Sequence, residues 1–293
     1  MKSTIDNRQL PIRLLVREGA RRLRAAGIER PEKEAEWLLA ERLRCKPAEL
    51  YLREPALSEQ ALEQFRADIE ARAAGRPLQY ILGETEFCGA RLALAPGVFI
   101  PRPETESVVE AALIALRQRA QELGRPLRIL DLGTGSGCIA IALARGLAAC
   151  VLVGVEVSWE SLRIARDNLR RHDLESTVAL VQGRWADAIK GPVDAIVSNP
   201  PYVPSRAVNR LPLDVRQEPR AALDGGQDGL RDLRHLMDEG PRLLAVGGLM
   251  VLECAEDHVH QLVQRGRSAS WIERIDSVVD LAGRPRGVVI RRV

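Results

Sequence analysis

The most chemically pointed stretch of this 293-residue sequence is Ile196-Val197-Ser198-Asn199-Pro200-Pro201-Tyr202, an apolar run that stops in Asn-Pro-Pro-Tyr. Two successive prolines donate no ladder hydrogen bonds and hold the backbone extended, so the run reads as a strand end presenting a rigid polar hook. The Asn199 side chain offers one carbonyl acceptor and Pro200 a second, while the Tyr202 ring can cover a flat group from one side. That set suits a planar amide or amine nitrogen: two acceptors take its N–H groups and its lone pair faces a reaction partner. A Pro-rich turn would account for Pro200-Pro201 alone, but not for the Asn and Tyr that flank them.

A partner site is legible upstream. Arg128-Ile129-Leu130-Asp131-Leu132-Gly133-Thr134-Gly135-Ser136-Gly137 is a short apolar strand running into a glycine-rich turn, and Cys138 to Arg145 follow with helical patterning. Glycines let a backbone take positive φ and approach a ligand closely, which suits a nucleotide-like cofactor. A tight strand-to-helix turn would explain the glycines alone. The second apolar run, Val151 to Val155, ends in Glu156 about 20 residues beyond the loop, where an acid can hydrogen-bond a ribose diol. A dinucleotide dehydrogenase would use the same loop, but it leaves Asn199-Pro-Pro-Tyr202 unexplained.

The elements that must position these groups alternate from residue 125 onward: strand 127 to 132, helix 137 to 146, strand 151 to 155, helix 158 to 170, and strands 178 to 182 and 193 to 198. Such alternation predicts an α/β fold, a parallel sheet with helices on both faces and ligand sites at the carboxyl strand ends. A loop through Ala222-Leu-Asp-Gly225-Gly226-Gln227-Asp-Gly-Leu230, a helix to about Leu244, a strand from Leu249 to Glu253 and two tail strands, Trp271 to Asp280 and Gly287 to Arg292, complete it. Residues 10 to 75 instead show helical periodicity, with Leu14, Leu15, Ala20, Leu23 and Ile28 expected on one face and Gly27, Pro31, Pro47, Pro55 and Ser58 as punctuation. The cluster Arg21-Arg22-Leu-Arg24 reads as the outer face of an amphipathic helix. Between the two lies a segment expected to form a hairpin, from Gln79 to Gly83 through Glu86-Phe-Cys-Gly89 to Pro96. Domains are thus expected at 1–75, a helical bundle; 76–103, a linking β-hairpin; and 104–293, the catalytic domain.

At 46% apolar residues the chain can build a substantial core, filled by Leu, Val, Ile and Ala because aromatics make up only 3%. A formal net charge of +3 does not point to a nucleic-acid partner. No uninterrupted apolar span and no signal-like core in Met1 to Arg8 are seen, so a cytoplasmic location is expected. Cysteines at 45, 88, 138, 150 and 254 lack Cys-x-x-Cys spacing, which predicts reduced, mostly buried thiols and no metal site. The four histidines lie outside the motifs.

Asp131-Leu-Gly-Thr-Gly-Ser-Gly137, Glu156 and Asn199-Pro-Pro-Tyr202, in that order, resemble the class I S-adenosylmethionine-dependent methyltransferases that act on amide or exocyclic amino nitrogens. Pro101-Arg-Pro-Glu-Thr-Glu106, which by itself reads as a helix start, matches the signature of the protein-(glutamine) methyltransferases. Nearly the whole chain is similar to the release factor-specific protein-(glutamine-N5) methyltransferases. The resemblance implies a Rossmann-like seven-stranded sheet with a small N-terminal all-α domain for protein-substrate recognition. It also implies S-adenosyl-L-methionine as methyl donor, S-adenosyl-L-homocysteine as product, and the Gln of the Gly-Gly-Gln loop of class 1 peptide chain release factors as target, with no membrane and no direct nucleic-acid partner. By the same resemblance Gly133, Thr134, Gly135, Ser136 and Gly137 wrap the methionine portion, Glu156 takes the ribose hydroxyls, Trp185 lies near the adenine and Asn199 adjoins the cofactor. Asn199, Pro200, Pro201 and Tyr202 hold the substrate amide. Two positions depart from the family pattern: Glu156 replaces the usual Asp, and Arg184 stands where an Asp often precedes the tryptophan, with Asp187 as a possible substitute. Glutamine methylation of a large-subunit ribosomal protein, adenine-N6 methylation of DNA, and a non-catalytic cofactor-binding adaptor are the alternatives.

Overall fold

The structure is a computed structural model that describes residues 11–53 and 57–293; the readings of Met1 to Arg8 and of Pro55 fall outside them. The described residues form two compact units: 11–53 and 57–83 with 213–217, and 84–212 with 218–293.

The first unit contains α1 (Ile12–Ala25), α2 (Pro31–Arg42), α3 (Glu49–Arg53), α4 (Glu59–Ala73) and α5 (Leu78–Leu82). Proline at the start of α2 and the Ser58 hydroxyl accepting from Ala61 N–H at 3.1 Å begin their helices as expected of such residues. Leu15, Leu23, Leu38, Leu39, Leu62 and Phe65 form the core. Leu14 is exposed, contrary to the expected face: Ile12, Leu15, Val16 and Gly19 make the buried stripe instead. Arg21, Arg22 and Arg24 are exposed as expected, with Arg22 paired to Glu70 and Arg24 to Glu32. The buried Arg72 reaches Glu34 at 2.6 Å and Asp214 at 3.1 Å. Gln79 to Gly83, expected in the hairpin, is corrected to helix. Pro77 starts α5 and Gly83 at φ 76° stops it; so short a segment does not separate a helical period from a strand period.

The second unit opens with the hairpin β1 (Glu84–Phe87) and β2 (Ala90–Ala93), turned by Cys88 and Gly89 at positive φ. Next comes α6 (Pro103–Leu123), four residues longer at its start than the expected Ser107, because Pro103 and the first-turn acids Glu104 and Glu106 already favour helix. The strands β3 (Leu127–Leu132), β4 (Cys150–Glu156), β5 (Val178–Gln182), β6 (Val193–Ser198), β7 (Leu244–Glu253), β8 (Ile272–Val279) and β9 (Pro285–Arg292) then form one sheet, in the order β5-β4-β3-β6-β7-β9-β8. The first five are parallel and the last two antiparallel. The helices α7 (Cys138–Gly146), α8 (Trp159–Arg171), α9 (Ser205–Val208), α10 (Arg231–Leu243) and α11 (Glu256–Arg267) complete the unit. The strand β7 starts at Leu244, before the expected Leu249, carrying Gly247-Gly248 inside it across an irregular register.

Both faces of the sheet are covered. Leu127, Ile129, Leu152, Val197 and Val251 belong to one core cluster; Leu130, Leu132, Ile196, Met250 and Leu252 belong to the other. Every residue of β6 is buried, which explains why it reads as a continuous apolar run. Strand order reverses between β3 and β6, so their carboxyl ends flank the crevice where ligands bind in open α/β sheets. Among the described residues no helix is long and apolar enough to cross a membrane. All five cysteines are free; only Cys254 is buried and the other four are half-buried, so the expectation of mostly buried thiols is corrected.

Candidate active site

The glycine-rich turn leaves β3 and the Asn-Pro-Pro-Tyr hook leaves β6, so the register Asp131↔Val197 sets the two motifs side by side. Their separation is fixed by the next residue: the buried Ser198 hydroxyl donates to the Leu132 carbonyl at 2.6 Å, closing the ladder where both strands end. Gly133, Gly135 and Gly137 all have positive φ (77°, 56° and 82°), a backbone path that side-chain-bearing residues rarely take. Gly133 and Thr134 N–H bond the Val155 carbonyl at 2.8 and 3.0 Å, joining the turn to the end of β4. There Glu156 accepts from Gly135 N–H at 3.0 Å and Ser158 N–H at 2.9 Å, one donor per carboxylate oxygen, so each oxygen keeps an acceptor site for another group.

A cavity of about 670 Å³ opens over these strand ends, well sized for a small-molecule ligand. Gly133, Thr134, Gly135, Ser136, Glu156, Trp185, Asn199 and Pro201 line it. Gly137, Pro200 and Tyr202 are not in its wall. Gly137 starts α7, Pro200 is buried behind Asn199, and the Tyr202 ring packs on the core cluster while its hydroxyl donates to Glu253 at 3.2 Å. Trp185 holds a left-handed backbone at φ 47°, a strained conformation that sets its ring opposite Gly133. Of the two departures, Arg184 does line the cavity, whereas Asp187 is exposed and outside it.

The orientation of Asn199 is set by a group the sequence showed only as part of a helix start. Its Nδ2 donates to Thr105 Oγ1 at 3.2 Å, which turns Oδ1 away from Thr105. Thr105 belongs to the Pro101–Glu106 motif and is buried. That motif is anchored in turn by Glu218, whose carboxylate accepts from Ile100 N–H at 3.0 Å and pairs with Arg102. Asn168 of α8 is another locking residue missing from the sequence reading. Fully buried, it accepts from Ala93 N–H at 2.6 Å and donates to the carbonyls of Ala93 and Ser136 at 3.1 and 2.9 Å, holding the glycine turn to the hairpin. A buried Asn on a helix carries no periodic signal; only its partners reveal its use.

Two carboxyl groups stand out electrostatically. Burial pushes Asp131 up to about 7, against the Thr134 hydroxyl and Ala140 N–H that favour its charge. Burial likewise pushes Glu253 up to about 7, opposed by the Thr105 and Tyr202 hydroxyls. Asp131 Oδ1, Ser136 Oγ and Glu253 Oε2 are buried without a hydrogen-bond partner. None of the four histidines lines the cavity; the most buried, His258, bonds the Asp228 carbonyl through Nε2 at 3.1 Å, and burial lowers its pKa. No cluster of potential metal ligands occurs among the described residues.

The loop after the hook returns beneath it. Val203 N–H donates to the Leu223 carbonyl and Gly225 N–H to the Val203 carbonyl, each at 2.9 Å, and Asp224 caps the turn by accepting from Ser205 Oγ and Gly226 N–H. A Cβ on Gly225 would lie 2.6 Å from the Pro201 carbonyl oxygen and 2.8 Å from Tyr202 Cα, so this loop and the hook touch backbone to backbone. Gln227 is exposed and outside the cavity wall.

Comparison with known proteins follows this geometry. Residues 15–83 match the PrmC N-terminal domain family and residues 96–215 the methyltransferase small domain family. The chain is 39% identical over 279 residues to the release factor glutamine methyltransferase of Moorella thermoacetica, covering 94% of this chain and 97% of that one. It is 36% identical over 276 residues to the release factor glutamine methyltransferase of Bradyrhizobium diazoefficiens, covering 94% and 92%. The solved N-terminal domain of human METTL16 in complex with SAH superposes with a TM-score of 0.51 at 15% identity, over 78% of this chain and 83% of that one, a likeness of fold alone.

Proposed function

The chain belongs to the release factor glutamine methyltransferase family, and from that premise we propose that it transfers a methyl group from S-adenosylmethionine to the N5 amide nitrogen of the Gln in the Gly-Gly-Gln loop of class 1 release factors, modulating translation termination in the cytoplasm. The observation that carries this reading is the commitment of Asn199 Nδ2 to Thr105, which leaves Oδ1 as an acceptor at a cavity shared with the glycine turn and Glu156.

The residues present fit the cofactor. Glu156 keeps one free acceptor site on each oxygen for the ribose diol, and the unpartnered Ser136 Oγ lies buried on the cavity wall. Gly133 and Gly135 give a side-chain-free cradle for the methionine portion, and Trp185 offers a ring face for the adenine, with Arg184 beside it. When bound, S-adenosylmethionine supplies an electrophilic methyl group.

An amide nitrogen is a poor nucleophile because its lone pair is delocalised into the carbonyl. Asn199 Oδ1 accepts one of its N–H groups and holds the amide with its lone pair toward the methyl, so that most of the rate comes from positioning; the Pro200 carbonyl, expected as the second acceptor, belongs to a buried residue outside the cavity wall. As positive charge grows on nitrogen the bond to Asn199 Oδ1 strengthens, and the acidified N–H passes its proton to water late, without a strong base. Pro201 holds the hook rigid, and Tyr202 ties it to Glu253. The helical N-terminal domain, taken as residues 1–75, grips the release factor outside its Gln loop, the segment 76–103, which holds α5 and the hairpin, links it on, and 104–293 carry out the transfer.

The test is methyl-labelled S-adenosylmethionine with unmodified release factor, its Gly-Gly-Ala variant, the ribosomal protein and duplex DNA. Label on the release factor that vanishes in the Ala variant is expected. Label on the ribosomal protein or DNA alone overturns the substrate, and binding without transfer to any of them overturns the activity.

A further inference from the structure

We propose that Glu253 is a positioning residue for methyl transfer: through the Thr105 hydroxyl it fixes which face of the Asn199 amide is presented to the substrate. The inference rests on the reading of the cavity given above and deepens it.

Glu253 is the last residue of β7. Glu253 is 2% exposed, outside the cavity wall, and lies behind Thr105 and Tyr202. An Asn amide has two chemically opposite ends of nearly equal size, and only the carbonyl end can accept a substrate N–H. The hydroxyl that receives Asn199 Nδ2 does not decide the matter alone, because Thr105 Oγ1 can accept from Nδ2 or donate to Oδ1 with the same geometry. What decides it is where the single Thr105 proton goes. Thr105 lies beside Glu253, close enough for its hydroxyl to favour the charged form, and the buried Glu253 Oε2 has no hydrogen-bond partner, so it is an acceptor open to that hydroxyl proton. Tyr202 Oη donates to Oε1 of the same carboxylate at 3.2 Å. A carboxylate only accepts, so both hydroxyl protons are drawn to it, the Thr105 oxygen is left as acceptor toward Asn199, and Oδ1 faces the cavity. One buried acceptor thereby sets the polarity of the hook from both sides, through Thr105 to Asn199 and through Tyr202 to the backbone after Pro201.

A group at position 253 that can also donate removes that polarity. With an amide there, Nε2 can give its proton to Thr105, Thr105 can then give its own to Asn199 Oδ1, and the Asn199 amide presents Nδ2 to the substrate. Protonation of Glu253 acts in the same direction. The charged groups that face Glu253 are Glu104 of α6, which disfavours its charge, and Arg286 of β9, which favours it; the Tyr202 phenol, the Cys138 thiol of α7 and the adjacent Cys254 thiol are all pushed up by burial and stay neutral. With burial carrying the Glu253 carboxyl to about 7, the polarity is lost as pH falls below that value.

The experiment compares wild type with Glu253→Gln, Thr105→Val and Thr105→Ser, using single-turnover methyl transfer to release factor between pH 5.5 and 9. Loss of one oriented acceptor lowers kcat by about 10- to 100-fold in Glu253→Gln and Thr105→Val, while Thr105→Ser returns it to within about threefold of wild type. Wild-type kcat falls on the acid side; Glu253→Gln abolishes that limb, whereas Asp131→Asn, which removes the other carboxyl titrating near 7, keeps it. Melting and S-adenosylmethionine titration of each variant separate polarity from damage to the fold. The Asn199 side-chain amide resonances, followed by ¹⁵N NMR in every variant, report the flip whether or not transfer occurs. An unchanged Asn199 resonance and unchanged kcat in Glu253→Gln overturn the proposal. No transfer by wild type, with the resonance still moved by Glu253→Gln, overturns the substrate reading and leaves the positioning role standing.

Discussion

Replacing Asn199 with Ala removes two things of different weight. One is the bond from Nδ2 to Thr105 Oγ1, a neutral pair at 3.2 Å that is half-buried; such a bond stabilises a fold by about 1 kcal/mol, a loss of about 2–4 °C in Tm for a unit of this size. The other is Oδ1, the acceptor for a substrate N–H that becomes charge-assisted as the nitrogen gains positive charge. A hydrogen bond to a charged group contributes about 1.5–3 kcal/mol, and freeing the amide to rotate out of line costs about a further factor of ten, so kcat drops roughly 10²- to 10³-fold. Cofactor affinity stays within about twofold, because the Gly133–Gly137 turn and Glu156 are held by Val155, Ser158 and Asn168 rather than by the hook. Single-turnover transfer measured at saturating S-adenosylmethionine, alongside calorimetric titration of the cofactor, separates these contributions. A kcat within threefold of wild type refutes the role assigned to Oδ1, and a parallel collapse of cofactor binding refutes its separation from the cofactor cradle.

Gly225→Ala forces a Cβ to within 2.6 Å of the Pro201 carbonyl and displaces the hook by its backbone; a Tm loss corresponding to about 1–3 kcal/mol and a falling kcat are expected, read by calorimetry and turnover. Asp131 has a folded pKa of about 7 against an ordinary value of 3.8, so the folded state binds more protons between these values. Stability therefore declines as pH rises from about 4 to 7 and then levels; Asp131→Asn removes its share of that slope in Tm measured across the range, while the share of Glu253, also raised to about 7, remains. On the helical domain, Trp37 and Leu52 are 40% and 80% exposed. Changing both to Glu raises KM for the release factor and leaves S-adenosylmethionine affinity unchanged; equal loss of both removes the gripping role.

The sequence by itself determined the parts that repeat a physical pattern or break one sharply. Apolar runs alternating with helical periods gave the α/β class because each element must bury its apolar face. The glycines of the 133–137 turn and the prolines at 200 and 201 marked where two strands stop, since few residues tolerate those backbone paths. Short segments misled: Gln79 to Gly83 alternates like a strand over too few residues to separate periods 2 and 3.6, and Leu14 shows that one residue of register decides which side of a helix is wet. What only tertiary structure decided is how the polar groups meet. Thr105, Asn168, Ser198 and Glu253 lie on four different elements and carry no periodic signal of their own. Their use arises where the sheet brings α6, α8, β6 and β7 together, because a buried hydrogen bond depends on distance and direction in space, which sequence separation does not encode.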